Sequence, residues 1–160
     1  MTNVASFTIR DFEPSDTDAI LELNVRALNP TRSLEMGAQM YPDLLDIAAN
    51  FDPGCFVVGV VDGKVVAMGG IVRLNPETYE IVRMRVAVAH HRRGYARQIV
   101  QELQRRATAL GARRLVLETS SRLLPAQALY ESQGFVETGR RETELLIGPT
   151  TLIQYEKRLA

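Results

Sequence analysis

The chain has 160 residues and a formal net charge of zero, from 19 Lys plus Arg against 19 Asp plus Glu. Its 46% hydrophobic and 24% charged content lies within the range of folded domains and outside that of disordered chains. We therefore expect a single domain over residues 1–160. Zero net charge argues against a dedicated nucleic-acid or anionic-membrane binder, because such proteins need a basic excess.

The charges are distributed unevenly along the chain. Residues 1–80 carry five basic and twelve acidic side chains, whereas residues 81–160 carry fourteen and seven, which gives net charges of −7 and +7. Seventeen of the basic residues are arginines. The planar guanidinium suits phosphate recognition, and codon bias is the alternative explanation of the arginine excess.

The single cysteine, Cys55, excludes an internal disulfide and a multi-cysteine zinc site. The N-terminal sequence MTNVASFTIRDFEP lacks the basic start and the apolar run of a signal peptide. The longest apolar stretches, such as FVVGVV, are too short to cross a bilayer. We expect a cytoplasmic protein without membrane association, in which Cys55 is a structural thiol.

The first half of the chain predicts a strand, two helices and a hairpin. Apolar and polar residues alternate over Ser6–Phe12, which predicts a strand. A helix is expected to start at Pro14-Ser15-Asp16 and to end at Asn29-Pro30, and a second one is expected around Pro42–Asn50. Two β-rich runs flank Asp62-Gly63, which indicates a hairpin.

A long strand and an amphipathic helix are predicted next. The strand is expected over Tyr79–Ala89, with Val82, Met84, Val86 and Val88 on one face and Ile81, Arg83, Arg85 and Ala87 on the other. After Gly94 the apolar spacing changes to a period of 3.6 residues, which predicts a helix that ends at Gly111.

The last 48 residues predict strands around one short helix. The helix is expected over Pro125–Gln133, and the strands over Arg113–Thr119, Phe135–Gly139 and Thr151–Arg158, with Glu142–Ile147 as a further candidate. This order favours a mainly antiparallel sheet with one parallel pair of strands, connected by the helix that follows Gly94.

The segment Val86–Ala96 carries the chemistry of the sequence. A strand ends there, a turn follows with two histidines and two arginines, and a helix begins at Gly94. Helix N-termini offer unpaired backbone N–H groups, so this turn can hold a phosphate or pyrophosphate. The alternative is a capped turn with solvated arginines. The turn matches neither of two other phosphate-binding motifs. A P-loop requires Gly-Lys-Ser/Thr and a dinucleotide fingerprint requires three spaced glycines, and both are absent from the sequence.

Two motifs in the chain resemble those of the GCN5-related N-acetyltransferases (GNAT). His91-Arg92-Arg93-Gly94-Tyr95-Ala96 is similar to the acyl-CoA motif Gln/Arg-x-x-Gly-x-Gly/Ala, with His91 at the Gln/Arg position. Ala126–Phe135 matches Ala-x-x-Leu-Tyr-x-x-x-Gly-Phe, with Leu123 where an Asn is common. The resemblance implies an α/β (α+β) fold: a mixed, mainly antiparallel central sheet of six to seven strands flanked by about four helices.

The resemblance also implies acetyl transfer from acetyl-CoA to an amine, without a metal. Backbone groups from Arg92 to Ala96 would hold the pyrophosphate, and main-chain groups at the strand end would pair with pantetheine. The Val88 N–H would polarise the thioester oxygen. The implied cofactor-binding residues are Val86, Ala87, Val88, His91, Arg92, Arg93, Gly94, Tyr95, Ala96 and Arg97.

Two residues are candidates for proton transfer. Tyr130 occupies the position of the family's usual general acid, and its phenol can protonate a thiolate. Glu80, fourteen residues before Gly94, is a candidate general base that acts through a water. A packed core tyrosine and a strand-edge charge are the alternatives. His90 and His91 lie in the phosphate turn and are expected to be neither bases nor metal ligands.

The acceptor is the least defined part. The resemblance implies an acceptor region built by about Ala27 to Asp52 and by the late strands, where Glu35, Asp43 and Asp46 would attract a cationic amine. We expect a small amine or an amino acid as acceptor. A protein or peptide acetyltransferase that acts on N-termini or lysines is one alternative, and a non-catalytic acyl-CoA-binding module is another. A homodimer is left open.

Overall fold

A computed structural model describes residues 6–28, 41–145 and 148–160. In these residues seven strands form one sheet, in the order β1-β2-β3-β4-β5-β7-β6. The strands are β1 Thr8–Asp11, β2 Gly54–Val61, β3 Lys64–Asn75, β4 Thr78–Val86, β5 Arg114–Ser120, β6 Val136–Leu145 and β7 Gly148–Arg158. The helices are α1 Thr17–Leu28, α2 Ile47–Asn50, α3 Tyr95–Ala109 and α4 Leu124–Ser132, with 3₁₀ turns at Pro14–Asp16, Pro42–Leu45 and Val88–His90.

The predicted fold class is confirmed. Strands β4 and β5 are parallel and are connected by α3, whereas every other strand pair of the described sheet is antiparallel. The predicted hairpin is present, because β2 and β3 pair around Asp62-Gly63. None of the helices in the described ranges is long and apolar enough to cross a membrane.

Two hydrophobic cores lie on opposite faces of the sheet. Helix α3 buries Ile99 and Leu103 of its predicted apolar stripe on one face, together with Tyr130 from α4. Helix α1 buries Ile20 on the other face, against the 3₁₀ turn residue Leu44. The sheet is therefore covered by α3 and α4 on one side and by α1 on the other.

Strand β4 is shorter than predicted. It ends at Val86, and Val88–His90 forms a 3₁₀ turn instead of the expected continuation to Ala89. The Ala87 N–H still donates to the Val66 carbonyl at 2.8 Å, and the His90 N–H then donates back to the Ala87 carbonyl at 2.8 Å. The chain therefore leaves the sheet directly before the turn that leads into α3.

The predicted faces of β4 were wrong because the strand contains a β-bulge. Gly70 pairs with Val82 and Met68 pairs with Arg85, so two residues of β4 oppose one of β3. Arg83, in the bulge, has a φ of +59°. Because an extra residue inverts the alternation of side chains, Ile81 shares the α3 side of the sheet with Met84 and Val86. Val82 packs on the α1 side.

Strands β4 and β5 separate beyond the bulge. Their pairing covers Thr78–Glu80 against Arg114–Val116 and does not continue among the described residues. From there, residues 81–86 pair with β3 and residues 117–120 pair with β7. This divergence leaves a cleft between the two strands at the end of the sheet where α3 begins.

The last two strands are longer than predicted. One strand, β6, replaces the two segments expected at Phe135–Gly139 and Glu142–Ile147. A register shift between Glu137 and Gly139 interrupts the alternation, which explains why the sequence pattern appeared as two pieces. Strand β7 begins at Gly148, and residues 146 and 147 lie outside the described part of the chain.

Candidate active site

The turn between β4 and α3 contains two residues with positive φ. Arg92 has a φ of +64°, and Gly94 is the N-cap of α3 with a φ of +80°. A Cβ built on Gly94 would meet no atom of the protein within 4 Å. The space beside Gly94 is therefore open, and glycine suits the position because it adopts this backbone conformation without strain.

Backbone N–H groups converge at this turn without acceptors. The helical hydrogen bonds of α3 begin with the Gln98 N–H, which donates to the Gly94 carbonyl at 3.1 Å. The six consecutive N–H groups of Arg92 to Arg97 donate to no acceptor among the described residues. Because such N–H groups and the helix dipole favour a negative charge, the turn is a candidate anion site. A pyrophosphate is one group that such a site can hold.

Three arginines belong to the segment that carries these N–H groups. Arg92, Arg93 and Arg97 are exposed. None of the three forms an ion pair with a carboxylate in the described part of the chain. Their guanidinium groups add positive charge where the backbone already offers donors, and they remain available for phosphate oxygens.

His91 fixes the geometry of the turn. Its Nε2 lies 2.9 Å from the Val86 carbonyl oxygen, the last residue of β4. Because a carbonyl only accepts, Nε2 carries the proton and donates. His91 therefore joins the strand end to the start of the turn, a contact that the sequence did not predict. The ring of His90 lies near Tyr95, with 6.0 Å between the centroids.

The other predicted cofactor residues lie around the strand end. Tyr95 is buried and stacks on Phe7 at 3.9 Å between centroids, so its side chain anchors α3 while its N–H faces the turn. Ala87 packs in the core on the α1 side. Val88 is 63% exposed, and its N–H donates to no acceptor among the described residues. The structure therefore brings the predicted cofactor residues together at one corner of the cleft.

Tyr130 is buried on α4. Its side chain is 6% exposed and packs against Phe135 and Tyr155, with ring centroids 5.8 and 6.2 Å away. Burial raises the pKa of its phenol to about 12, although the positive charge of Arg85 opposes the shift. Tyr130 is therefore protonated at neutral pH, as a general acid must be.

Glu80 lies at the last paired position of β4 and β5, on the wall of an open pocket of about 300 Å³. Burial, and secondarily the charge of Glu118, raises the pKa of Glu80, while Arg83 and Arg141 oppose the shift. The pocket does not contain Tyr130. Its lining residues are Glu80, Val116, Leu117, Glu118, Thr138, Arg141, Gln154 and Tyr155.

The acidic residues expected to attract the acceptor have structural partners. Asp43 accepts from Nε and Nη2 of Arg83 at 3.0 and 3.1 Å, and the Arg83 guanidinium lies 4.5 Å from the centre of the Tyr41 ring. Asp46 caps α2 by accepting from the Ala49 N–H at 3.2 Å. Glu35 lies outside the described residues. The Asp43 charge is therefore neutralised within the protein.

Arg85, the second arginine of β4, was not among the predicted site residues. Nε of Arg85 donates to Oδ1 of Asn24, on α1, at 3.1 Å, and Nη1 donates to the Met84 carbonyl at 2.8 Å. Asn24 and Arg85 are 61 positions apart. The only sequence signal was the pair of arginines on a strand that was otherwise apolar.

Comparison with known proteins gives consistent matches. Residues 17–135 match the model of the acetyltransferase (GNAT) family. Over 106 residues the chain is 31% identical to human N-acetyltransferase 8, which covers 61% of this chain and 47% of that protein. Over 74 residues it is 38% identical to the uncharacterized N-acetyltransferase YsnE of Bacillus subtilis, which covers 45% of this chain and 49% of that protein.

Solved structures share the fold. The acetyltransferase yncA of Salmonella typhimurium, solved with its cofactor acetyl-CoA, superposes with a TM-score of 0.77 at 21% identity. The match covers 96% of this chain and 94% of that one. The chain spans about half the length of the two curated relatives it matches.

Proposed function

The chain belongs to the acetyltransferase (GNAT) family, and we propose that it is an acetyl-CoA-dependent N-acetyltransferase acting on a primary amine of a small molecule or an amino acid. The observation that carries the proposal is the start of α3. Six consecutive N–H groups lack acceptors among the described residues there, three exposed arginines belong to the same segment, and the space beside Gly94 is open. The proposed location is cytoplasmic, on the basis of the single cysteine.

The residues at the corner of the cleft would hold acetyl-CoA, which supplies the acetyl group as a thioester. The N–H groups of Arg92 to Ala96 bind the pyrophosphate, and the Arg92, Arg93 and Arg97 side chains neutralise it. Main-chain groups of Val86–Val88 run along the pantetheine. The free Val88 N–H polarises the carbonyl, and His91 acts as a positioning residue through the Val86 carbonyl.

Glu80 and Tyr130 would move the protons. Glu80 accepts a proton from the amine through a water, because burial raises the pKa of its carboxyl and makes the carboxylate a stronger base. Tyr130 keeps its proton at neutral pH and donates it to the departing thiolate. The two groups would act in opposite directions on opposite sides of the reacting carbonyl.

A thiol-release assay tests the proposal. The chain is incubated with acetyl-CoA and a panel of small amines, amino acids and peptides with free N-termini or lysines. We expect release of the thiol with small amines or amino acids. Turnover with peptides alone would favour the protein acetyltransferase, whereas binding of acetyl-CoA without turnover of any acceptor would favour the non-catalytic module.

A further inference from the structure

Arg85 has no role in the proposed chemistry, although it lies directly before the strand end that holds the cofactor. It is on the α1 side of the sheet, where its Nε donates to Oδ1 of Asn24 at 3.1 Å. Strands β4 and β5 have already separated at this position. Arg85 therefore lies on the part of β4 that is no longer paired with β5, one position before the end of the strand at Val86.

The charges along this face of the sheet leave two groups without an ion-pair partner among the described residues. Glu118 is paired with Arg141 at 2.6 and 3.0 Å, and Asp43 is paired with Arg83. Glu80 and Arg85 form no ion pair with another described residue. Burial lowers the pKa of Arg85, because a guanidinium removed from water lacks compensation unless an anion accompanies it.

Asn24 provides a second, independent sign of a missing anion. Its side chain is 1% exposed, and its Nδ2 has no hydrogen-bond acceptor in the part of the chain that the structure describes. The orientation of the amide is determined by Arg85, because a guanidinium only donates and must face the amide oxygen. Buried donors are rarely left without acceptors in folded proteins. The Asn24 N–H₂ group needs a hydrogen-bond acceptor, and the neighbouring Arg85 guanidinium needs a negative charge. One carboxylate would supply both.

We propose that the acceptor amine also carries a carboxylate, as an amino acid does, and that Arg85 binds this carboxylate with help from the Asn24 amide. The inference rests on the proposed function and specifies its substrate class. The amine then lies towards Glu80 and the carboxylate lies at Arg85. Because of the bulge, Glu80 and Arg85 lie opposite Val72 and Met68, four positions of β3 apart and roughly 13 Å along the strand. A ligand between the two residues would be reached by both of these long side chains.

The test compares acceptors that differ only in the carboxylate. Methionine, methioninamide and 3-(methylthio)propylamine form one such trio, and further trios are built on acidic, basic and aromatic amino acids. We expect kcat/KM to be higher for the free acid on the order of 10- to 100-fold in at least one trio, the range of a charge-assisted hydrogen-bonded pair. Equal kcat/KM within every trio overturns the inference and leaves the proposed function standing.

Two variants and one control assign the effect to Arg85. Arg85→Gln should raise KM for the acid and leave KM for the carboxamide unchanged. Asn24→Asp should also remove the preference for the acid. The carboxylate introduced at position 24 would pair with Arg85 within the fold and would take the place of the ligand's carboxylate. Arg73→Gln removes an exposed charge from β3 and should keep the preference. The inference is contradicted if both variants lower kcat/KM by the same factor for the acid, the carboxamide and the amine of a trio.

Binding measurements separate this inference from the proposed function. Acetyl-CoA affinity, measured by thermal shift, should be unchanged in both variants. If no amine of any class is acetylated, the proposed function fails. In that case calorimetry with CoA bound still tests the anion site, because tighter binding of the free acid than of its carboxamide supports the site and equal binding overturns it.

Discussion

Tyr130 and Glu80 are both shifted towards the protonated form by burial. The same shift has opposite consequences for the two roles. In the proposed mechanism it preserves the proton that the tyrosine would donate, whereas it restricts the glutamate to a narrower pH range in which its carboxylate would be free to accept. Burial would therefore suit Tyr130 to the role of an acid and would make Glu80 a pH-sensitive base.

Replacement of Tyr130 by Phe should separate chemistry from binding. We expect Tyr130→Phe to lower kcat by about 10²- to 10⁴-fold, the usual contribution of a positioned general acid, with acetyl-CoA affinity unchanged. Tyr79→Phe is the matched control, because Tyr79 is buried in the same core and has no role in the site. Wild-type turnover in Tyr130→Phe would show that the tyrosine is only a packing residue.

The pH profile should report Glu80. Its pKa lies above the usual value of a glutamate, so kcat/KM should fall as the pH decreases through this raised value and the carboxylate takes up a proton. Glu80→Gln should lower kcat/KM and remove this acid limb. Tyr130 should contribute no alkaline limb until the pH approaches about 12. A Glu80→Gln profile with the wild-type acid limb would assign the base elsewhere.

The sequence supplied candidate residues for the site, but it did not show which side chains contact one another. The motifs placed the anion site at His91–Ala96, because helix starts and glycine positions follow from local sequence. The bond from His91 to the Val86 carbonyl depends on where β4 ends, and the contact of Arg85 with Asn24 joins residues 61 positions apart. Local sequence patterns do not predict contacts between residues that are so far apart in the chain.

Among the elements, β4 shows most clearly what local sequence patterns predict and what they do not. Its existence and its parallel pairing with β5 were predicted, because periodicity and connection rules are local. The bulge was not predicted. Its residue Arg83 has a positive φ and pairs with Asp43, 40 positions away, and a contact between such distant residues leaves no local pattern in the sequence. One inserted position reversed the faces of the strand and directed Arg85 to the α1 side.

The two ends of α3 provide a controlled test of the anion site. Gly94 and Gly111 flank the helix with φ values of +80° and +88°, and a Cβ at either position would meet no protein atom within 4 Å. Alanine at either site should cost about 1 kcal/mol of unfolding free energy. Only Gly94→Ala should weaken acetyl-CoA binding, by tenfold or more, because its methyl group enters the space for the pyrophosphate.

Calorimetric titration and urea unfolding of the two variants measure these effects. Equal acetyl-CoA affinity in Gly94→Ala and Gly111→Ala would place the pyrophosphate elsewhere. A stability loss confined to one variant would mean that backbone strain differs between the two helix ends.

At the scale of the whole molecule, part of the charge asymmetry joins the two halves of the chain. The acidic half contributes Asp11, Asp43 and Glu77, and the basic half contributes their partners Arg106, Arg83 and Arg113. These pairs explain why a −7 segment and a +7 segment are found in one fold. The arginines at the start of α3 are not used in this way and are left for a ligand.

Ligand binding should be visible in the stability of the whole chain. We expect one cooperative unfolding transition, as for a single domain. Acetyl-CoA at 100 times its dissociation constant should add about 2.7 kcal/mol to the unfolding free energy, which raises Tm by roughly 5 to 10 °C for a chain of this size. Differential scanning calorimetry measures both. Two transitions would contradict the single domain, and an unchanged Tm would contradict cofactor binding.

The separation of β4 and β5 also affects how the protein behaves in storage. A continuous sheet has two open edges, but this one has two more inside the molecule, along residues 81–86 and 117–120, as far as the described residues extend. Unpaired strand edges are templates for association between chains. The cofactor that occupies the cleft would therefore also shield these edges, and ligand-free preparations should be the first to aggregate.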